Sequence, residues 1–260
     1  MAPSRLNLIR LLPWQLLWVS DMGFFEVVVL LIQRYYKFFL EGCKNTIILA
    51  FFSVALGALG GTLLSLMRMS KFKVLKYPAV AIVEFVRGTP LMVQLMFIFY
   101  GLPMIGVTFP DISFIPNFSR FMAGVVAMSL NSSAYVSEII RSGIQAVDPG
   151  QMEAARSIGF TYGESMRKVV LPQAVKNILP ALGNEFVTVI KESSIVSVIG
   201  IADLMFRTND VIDVTYRSLQ ALLIAALMYF VMTFFISRLI SFAERKMKNG
   251  KKNDICTGIL

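Results

Sequence analysis

The most informative absence in this sequence is histidine, because none of the 260 residues is a histidine. Imidazole acid–base catalysis, histidine metal ligands and imidazole proton relays are therefore excluded. Cysteine is nearly as scarce, and the two that occur, Cys43 and Cys256, lie at opposite ends of the chain. Their separation matches neither a disulfide framework nor a metal-binding motif. We therefore expect no metal and no organic cofactor in this chain.

Charge is also scarce and unevenly placed. Only 16% of the residues are charged and 56% are hydrophobic, a composition far from that of a soluble domain. Several apolar runs approach the roughly 20 residues needed to cross a bilayer core. The net charge of +9 would also suit nucleic acid, but the basic residues fall between the apolar runs. The membrane surface explains them better, so the sequence predicts an all-α integral membrane protein.

About five segments are predicted to be transmembrane helices. The clearest, residues 45–67, has no charged residue, and its Gly57, Gly60 and Gly61 would let another helix approach closely. The second is expected to break at Gly88-Thr89-Pro90, because proline removes a backbone donor. The five spans are expected at residues 45–67, 77–101, 121–140, 181–205 and 218–237.

The positions of Lys and Arg predict the orientation of the chain. They concentrate after the first span, after the third span and in the C-terminal tail. The alternating loops, residues 102–120 and 206–217, contain few basic residues. Since basic loops stay in the cytoplasm, five spans with an external N-terminus and a cytoplasmic C-terminus satisfy every loop.

Three regions are expected along the chain: an N-terminal segment (1–40), a membrane domain (41–248) and a cytoplasmic tail (249–260). Residues 11–32 are apolar, but Pro13, Asp21 and Glu26 interrupt them. We therefore expect a helix that lies in the outer membrane interface. A sixth span is the alternative.

A polar stretch between the third and fourth spans, residues 143–180, predicts a hairpin of two short helices. Pro149 suits the first turn of a helix, and Gly159 would end that helix. Thr161, followed three residues later by Glu164, predicts the N-cap of a second helix that reaches residue 170. Such a hairpin is either a solvated loop or a surface that binds another protein.

The same stretch resembles the EAA loop of the membrane subunits of bacterial ABC importers. Glu153-Ala154-Ala155 is followed by Gly159 and then by Val169-x-Leu171-Pro172, with Val169 replacing the more usual Ile. Three further stretches are similar to the polar amino-acid branch of that family, the histidine/glutamine/arginine-type permeases. They are EFVRGTPLMVQLMFIFYGLP (84–103), SLNSSAYVSEIIRSGIQAV (129–147) and KESSIVSVIGIADL (191–204).

This resemblance implies a permease subunit of an ATP-driven importer in the bacterial cytoplasmic membrane. An extracytoplasmic binding protein would deliver a polar amino acid to a path between this chain and a second permease subunit, identical or different. ATP and Mg would be bound by partner ATPase subunits, because this chain has no G-x-x-x-x-G-K-[ST] phosphate loop. The chain itself is therefore not expected to be an enzyme.

By their positions in the family's motif, one set of residues is expected to dock the ATPase. These residues are Glu153, Ala154, Ala155, Gly159, Arg156, Arg167, Leu171 and Pro172, with Lys168 as a further candidate for an ion pair.

Polar and charged groups inside the spans are candidates for the substrate path, because burying them in a membrane is costly without a function. The candidates are Glu84, Arg87, Asn131, Ser132, Ser133, Lys191 and Glu192, and the fourth span also contains Glu185. Alternatively, Glu84 and Arg87 neutralise each other across one helical turn. The cluster at residues 131–133 would equally suit hydrogen bonds between helices.

Two other functions compete with an ABC permease. A stand-alone secondary transporter or channel would explain the spans and their charges, but gives no reason for the EAA loop. A membrane enzyme has little support, because no nucleophile–base or paired-carboxylate spacing is recognisable.

Overall fold

The computed structural model describes residues 23–112 and 117–257, and these residues form helices and connecting turns without a β-strand. The predicted all-α fold class is confirmed. The α-helices are α1 (Phe24–Met69), α2 (Lys73–Gly88), α3 (Leu91–Met96), α4 (Phe118–Gln145), α5 (Pro149–Ser157), α6 (Tyr162–Ser165), α7 (Leu171–Glu192), α8 (Leu204–Thr215) and α9 (Ser218–Thr257). A π-helical turn (Phe97–Gly101) extends α3 to Met104, and another (Met166–Val170) joins α6 to α7.

Helix α1 is longer than the sequence predicted. Its 46 residues make a rod about 69 Å long, more than twice the thickness of a bilayer core of roughly 30 Å. Its buried residues recur every three or four positions from Val27 to Ser65, so one continuous stripe faces the bundle. The charged Arg34, Lys37 and Glu41 lie on the exposed side and do not interrupt this stripe.

Helix α1 passes without a break through the expected boundary near residue 40, and the division of the chain into three regions stays a prediction. The expected interfacial helix is corrected for residues 24–32, which form the first turns of α1 and not a separate helix. The remainder of that prediction, residues 11–22, lies outside the described residues.

The most extensive helix–helix interface among the described residues joins α1 to α4. A Cβ atom on Gly57 would lie 2.8 Å from the Cβ of Ser132, and one on Gly61 would lie 2.7 Å from the carbonyl oxygen of Ser133. Such distances are shorter than van der Waals contact, so only glycine permits this approach. The predicted role of these glycines is confirmed.

The predicted break in the second span is also confirmed. Helix α2 ends at Gly88, and Thr89 is extended, as expected for a residue that precedes proline. The segments Lys73–Gly88 and Leu91–Met104 are bent by 107° relative to each other.

The fourth predicted span differs most from the structure. Helix α7 begins at Leu171 and is followed by a 3-10 helix, Ser193–Ile199, so the helical segment ends before Met205. The chain then turns at Gly200, which has φ +80°, and α8 starts after Asp203. Asp203 caps α8 by accepting a hydrogen bond from the backbone N–H of Phe206 at 2.8 Å.

The side chains of α1 fix this turn in place. Asn45 Nδ2 donates to the carbonyl of Ala202 at 2.7 Å, and the backbone N–H of Leu204 donates to Thr46 Oγ1 at 3.1 Å. The segment predicted as an external loop at 206–217 is therefore largely a helix, α8, that packs against α1.

By length and composition, Phe24–Met69 and Ser218–Phe242 could each cross a membrane, and the bent pair α2–α3 is a third span if counted as one. Helices α4 and α7, with 28 and 22 residues, are long enough but carry more polar side chains. The number of five spans stays a prediction.

The α1–α4 interface gives a first test. Gly61→Leu should lower the thermal midpoint of the detergent-solubilised protein by several degrees, because overpacking typically costs about 1–3 kcal/mol. Ala55→Leu is the matched control, since Ala55 lies exposed on the same helix. Equal midpoints for the two variants would contradict the close packing of α1 on α4.

Candidate functional site

The hairpin over residues 143–180 begins with a well-capped helix. Asp148 Oδ1 accepts a hydrogen bond from the backbone N–H of Gly150 at 2.7 Å, and Pro149 occupies the first turn of α5. Gly159 follows the end of α5 with φ +98°, a conformation that a side chain would strain. The predicted start and end of the first hairpin helix are confirmed to within two residues.

The second half of the hairpin starts as predicted and then departs from the prediction. Thr161 Oγ1 accepts from the backbone N–H of Glu164 at 3.4 Å, and Glu164 Oε2 accepts from the backbone N–H of Thr161 at 3.0 Å. These bonds form the expected capping box, and the bond from the Thr161 N–H holds the pKa of Glu164 below its usual range. Helix α6 ends at Ser165, however, and a π-helical turn leads directly into α7.

The two faces of α5 differ in exposure. Glu153, Ala154 and Arg156 are exposed, whereas Ala155 is only 4% exposed. Ala155 was expected to be part of the docking surface, but its side chain faces the protein. The small side chain at Ala155 therefore serves packing, and the surface available to a partner consists of its neighbours.

The other expected docking residues also lie on the outside. Gly159, Arg167, Leu171 and Pro172 are exposed. Lys168 is exposed too, but its Nζ lies 3.6 Å from Glu164 Oε1 and 5.0 Å from the centre of the Phe160 ring. These contacts hold Lys168 within the hairpin.

An apolar cluster fixes the hairpin to the helices beneath it. Val147, Val170, Ala174 and Ile178 are buried together, and Met152 of α5 packs against them. The ends of α4 and α7 contact each other closely, because a Cβ on Gly143 would lie 2.4 Å from Cγ1 of Ile178. The exposed face of α5 is thus held rigidly relative to two long helices.

A second candidate region is the break between α2 and α3. Gln94 is buried, and its Nε2 lies 2.8 Å from the carbonyl oxygen of Val86 and 3.1 Å from that of Thr89. The backbone acceptors that the break frees are therefore satisfied within the protein. Asn131 Nδ2 of α4 donates to Gln94 Oε1 at 3.1 Å, so Asn131 hydrogen-bonds between helices.

Glu138 joins the ends of three helices. Its Oε2 lies 3.0 Å from Arg68 Nη1 of α1 and 3.7 Å from Arg87 Nη1 of α2, and Arg141 of α4 is also ion-paired with it. Arg68 is 8% exposed, so water screens this pair poorly. Arg87 thus pairs with Glu138, and among the described residues no ion pair joins it to Glu84. Glu84 itself is exposed.

The other polar residues of α4 divide between two roles. Ser132 Oγ donates to Glu185 Oε1 of α7 at 2.8 Å, which places a half-buried carboxylate between the two helices. Ser133 Oγ donates to the carbonyl of Leu130 at 2.7 Å, within α4. Lys191 is exposed and Glu192 is half-buried at the end of α7. The structure does not bring these two residues together with Arg87 and Glu84 in one described site.

The structure adds Gln94 to the important residues and gives Glu138 and Glu185 partners that the sequence did not reveal. Sequence signals for two of them exist, since Gln94 follows Pro90 by four residues and Glu185 is a carboxylate within an apolar run. Glu138 is likewise a carboxylate within a predicted span, but its position near the cytoplasmic end suggested an interfacial residue, and its partners Arg68 and Arg87 come from other helices. Within the described residues, no three Cys, Asp or Glu side chains are grouped as they would be to hold a metal ion.

The chain resembles known transport proteins over most of its length. Residues 53–249 match the family model described as "Binding-protein-dependent transport system inner membrane component". The arginine transport system permease protein ArtQ of Bacillus subtilis is 43% identical over 212 residues, which cover 82% of this chain and 93% of that protein. The putative glutamine transport system permease protein GlnP of Rickettsia conorii is 42% identical over 220 residues, 84% of this chain and 97% of that one.

Solved structures agree with these relatives. A chain from the crystal structure of an amino acid ABC transporter with histidines has a TM-score of 0.77 and 48% identity, and the match covers 87% of this chain and 99% of that chain. A chain of the inward-facing MetNI methionine ABC transporter, at 19% identity and a TM-score of 0.55, shares the fold. The family match and the two relatives establish that this chain belongs to the inner membrane components of binding-protein-dependent transport systems.

Proposed function

We propose that this chain is the permease subunit of an ATP-driven ABC importer that takes up a polar amino acid. The observation that carries the proposal is the geometry of the hairpin. Helix α5 presents polar and small side chains outward, while the cluster around Val170 and Ile178 holds it against α4 and α7. An exposed but rigidly held short helix suits the transmission of a partner's movement to the spans.

The partner that binds this hairpin is an ATPase subunit. This chain lacks a phosphate-binding loop, so another chain must hydrolyse the ATP that drives transport. ATP and Mg would be bound by that ATPase. Glu153, Ala154 and Arg156 would contact it directly, with Gly159 shaping the end of the helix. Arg167, Leu171 and Pro172 lie exposed on the second half of the hairpin and would extend the contact.

The remaining partners follow from the kind of transporter. A second permease subunit, identical or different, would complete the translocation path, and an extracytoplasmic binding protein would deliver the amino acid. The distribution of Lys and Arg supports placement in the bacterial cytoplasmic membrane, with the hairpin and the C-terminus in the cytoplasm.

For the substrate path, the contact between Ser132 and Glu185 is the best candidate. A carboxylate held between two helices can bind the ammonium group of an amino acid by a charge-assisted hydrogen bond. Lys191 and Glu192 lie about two turns further along α7 and would line the same path. Asn131 and Ser133 would support the path without touching the substrate, since both have partners within the protein. The relatives named for arginine and glutamine transport favour a polar amino acid.

Docking of the ATPase can be tested by substituting a residue on the exposed face of α5. Ala154→Trp should reduce the amount of ATPase that co-purifies with the solubilised chain by about tenfold or more, because an indole would obstruct a close-packed helix contact. Ala146→Trp is the control, since Ala146 is an exposed alanine outside α5. Undiminished recovery of the ATPase with Ala154→Trp would remove α5 from the docking surface.

The substrate path gives a separate prediction. Glu185→Gln keeps the shape of the side chain but removes its charge, so the KM for amino-acid uptake should rise about 10- to 100-fold. ATPase co-purification should not change, because Glu185 lies outside the hairpin. Glu41→Gln serves as the control, since Glu41 forms an exposed ion pair with Arg207 in another part of the bundle. An unaltered KM would exclude Glu185 from contact with the substrate.

A further inference from the structure

Helix α5 is connected to α7 by a polar contact as well as by the apolar cluster beneath the hairpin. Gln173, in the first turn of α7, directs its Nε2 toward Gln151 Oε1 of α5 at 3.2 Å. The same Nε2 lies 3.0 Å from the carbonyl oxygen of Val169. One side-chain amide therefore reaches the docking helix on one side and the π-helical turn on the other.

The π-helical turn Met166–Val170 is the irregular section of an otherwise continuous helical segment from Tyr162 to Glu192. The backbone N–H of Leu171 donates to the carbonyl of Met166, five residues earlier, in place of the usual α-helical bond. Pro172 supplies the physical reason, because it has no N–H and its ring would press against the carbonyl of Lys168 in a regular α-helix. A wider turn relieves that clash.

Such a turn is more compliant than the α-helix on either side. If the turn bent freely, part of a movement of α5 would be absorbed there, and only the apolar cluster would pass the rest to α7. The contacts of Gln173 oppose this, since they connect α5, the carbonyl of Val169 within the turn, and the start of α7. Gln173 thus braces the π-helical turn that lies between the docking helix and α7.

We propose that Gln173 is a positioning residue that couples the movement of α5 to α7. The proposal rests on the docking function of the hairpin proposed above. Glu185 lies twelve positions after Gln173, about 18 Å along the same helix, so a displacement at the start of α7 reaches the candidate substrate path directly. Gln173 would set how much transport results from each ATP hydrolysed, without contacting either the substrate or the nucleotide.

The test uses the complete transporter reconstituted in proteoliposomes, with an equimolar mixture of radiolabelled amino acids as the probe. The measured quantity is the number of ATP molecules hydrolysed per amino acid imported. Gln173→Leu keeps the size of the side chain but makes neither contact, and this ratio should rise about fivefold. Gln151→Leu should raise it similarly, and the double variant should show no more than the larger single effect, because both remove the same contact.

Two controls separate coupling from stability. Gln151→Glu retains an acceptor for Gln173 and should leave the ratio near that of the wild type. Gln33→Leu, an exposed glutamine on α1, should also leave it unchanged. Because the Gln151 and Gln173 substitutions lie on different helices, a shared change in the ratio does not arise from misfolding of one element.

The outcomes distinguish this proposal from the function on which it rests. If the wild-type complex holds no ATPase or imports none of the probe, the proposed function itself fails. If wild-type transport is normal and Gln173→Leu keeps the wild-type ratio, the positioning role is wrong. Loss of ATPase binding by Gln173→Leu would also overturn it, because Gln173 would then act in docking.

Discussion

The close contact between α1 and α4 is the constraint on which the rest of the bundle depends. The glycines at 57 and 61 let the two helix backbones approach closely. This approach brings Arg68 to Glu138, where α2 joins through Arg87. It also orients α4 so that Ser132 meets α7 through Glu185. The close packing of α1 on α4 thus determines where several polar groups meet.

Polar groups in this protein are mostly satisfied by one another, as a membrane environment requires. The break between α2 and α3 frees backbone carbonyls, and the Nε2 of Gln94 donates hydrogen bonds to two of them. Asn131 in turn donates a hydrogen bond to the side-chain oxygen of Gln94. Glu138 similarly gathers three arginines at the ends of α1, α2 and α4. Glu185 is a half-buried carboxylate whose described hydrogen-bond partner is a neutral hydroxyl between two long helices, which makes it a candidate for binding a cationic group.

Local features of the sequence were predictable, whereas partners distant in the sequence were not. Gly159, the capping box at Thr161 and the break at Pro90 follow from backbone sterics and hydrogen bonding within a few residues. The continuity of α1 through residue 40 was missed, because Glu26 suggests an interruption although it lies on the exposed side of the helix. The partner of Arg87 was also missed, since Glu138 is far away in the sequence. The side chain of Ala155 faces inward because of the apolar cluster beneath α5, and no local sequence pattern reveals that cluster.

We propose that this chain moves an amino acid only when an ATPase acts on its hairpin. The most direct measurement is uptake of radiolabelled amino acids into proteoliposomes that contain this chain with and without its ATPase. The permease chains alone should show no uptake, and ATP-dependent uptake should appear once the ATPase and the binding protein are added. Uptake by the purified chain alone, unaffected by ATP, would rule out transport driven through the hairpin and favour a stand-alone transporter.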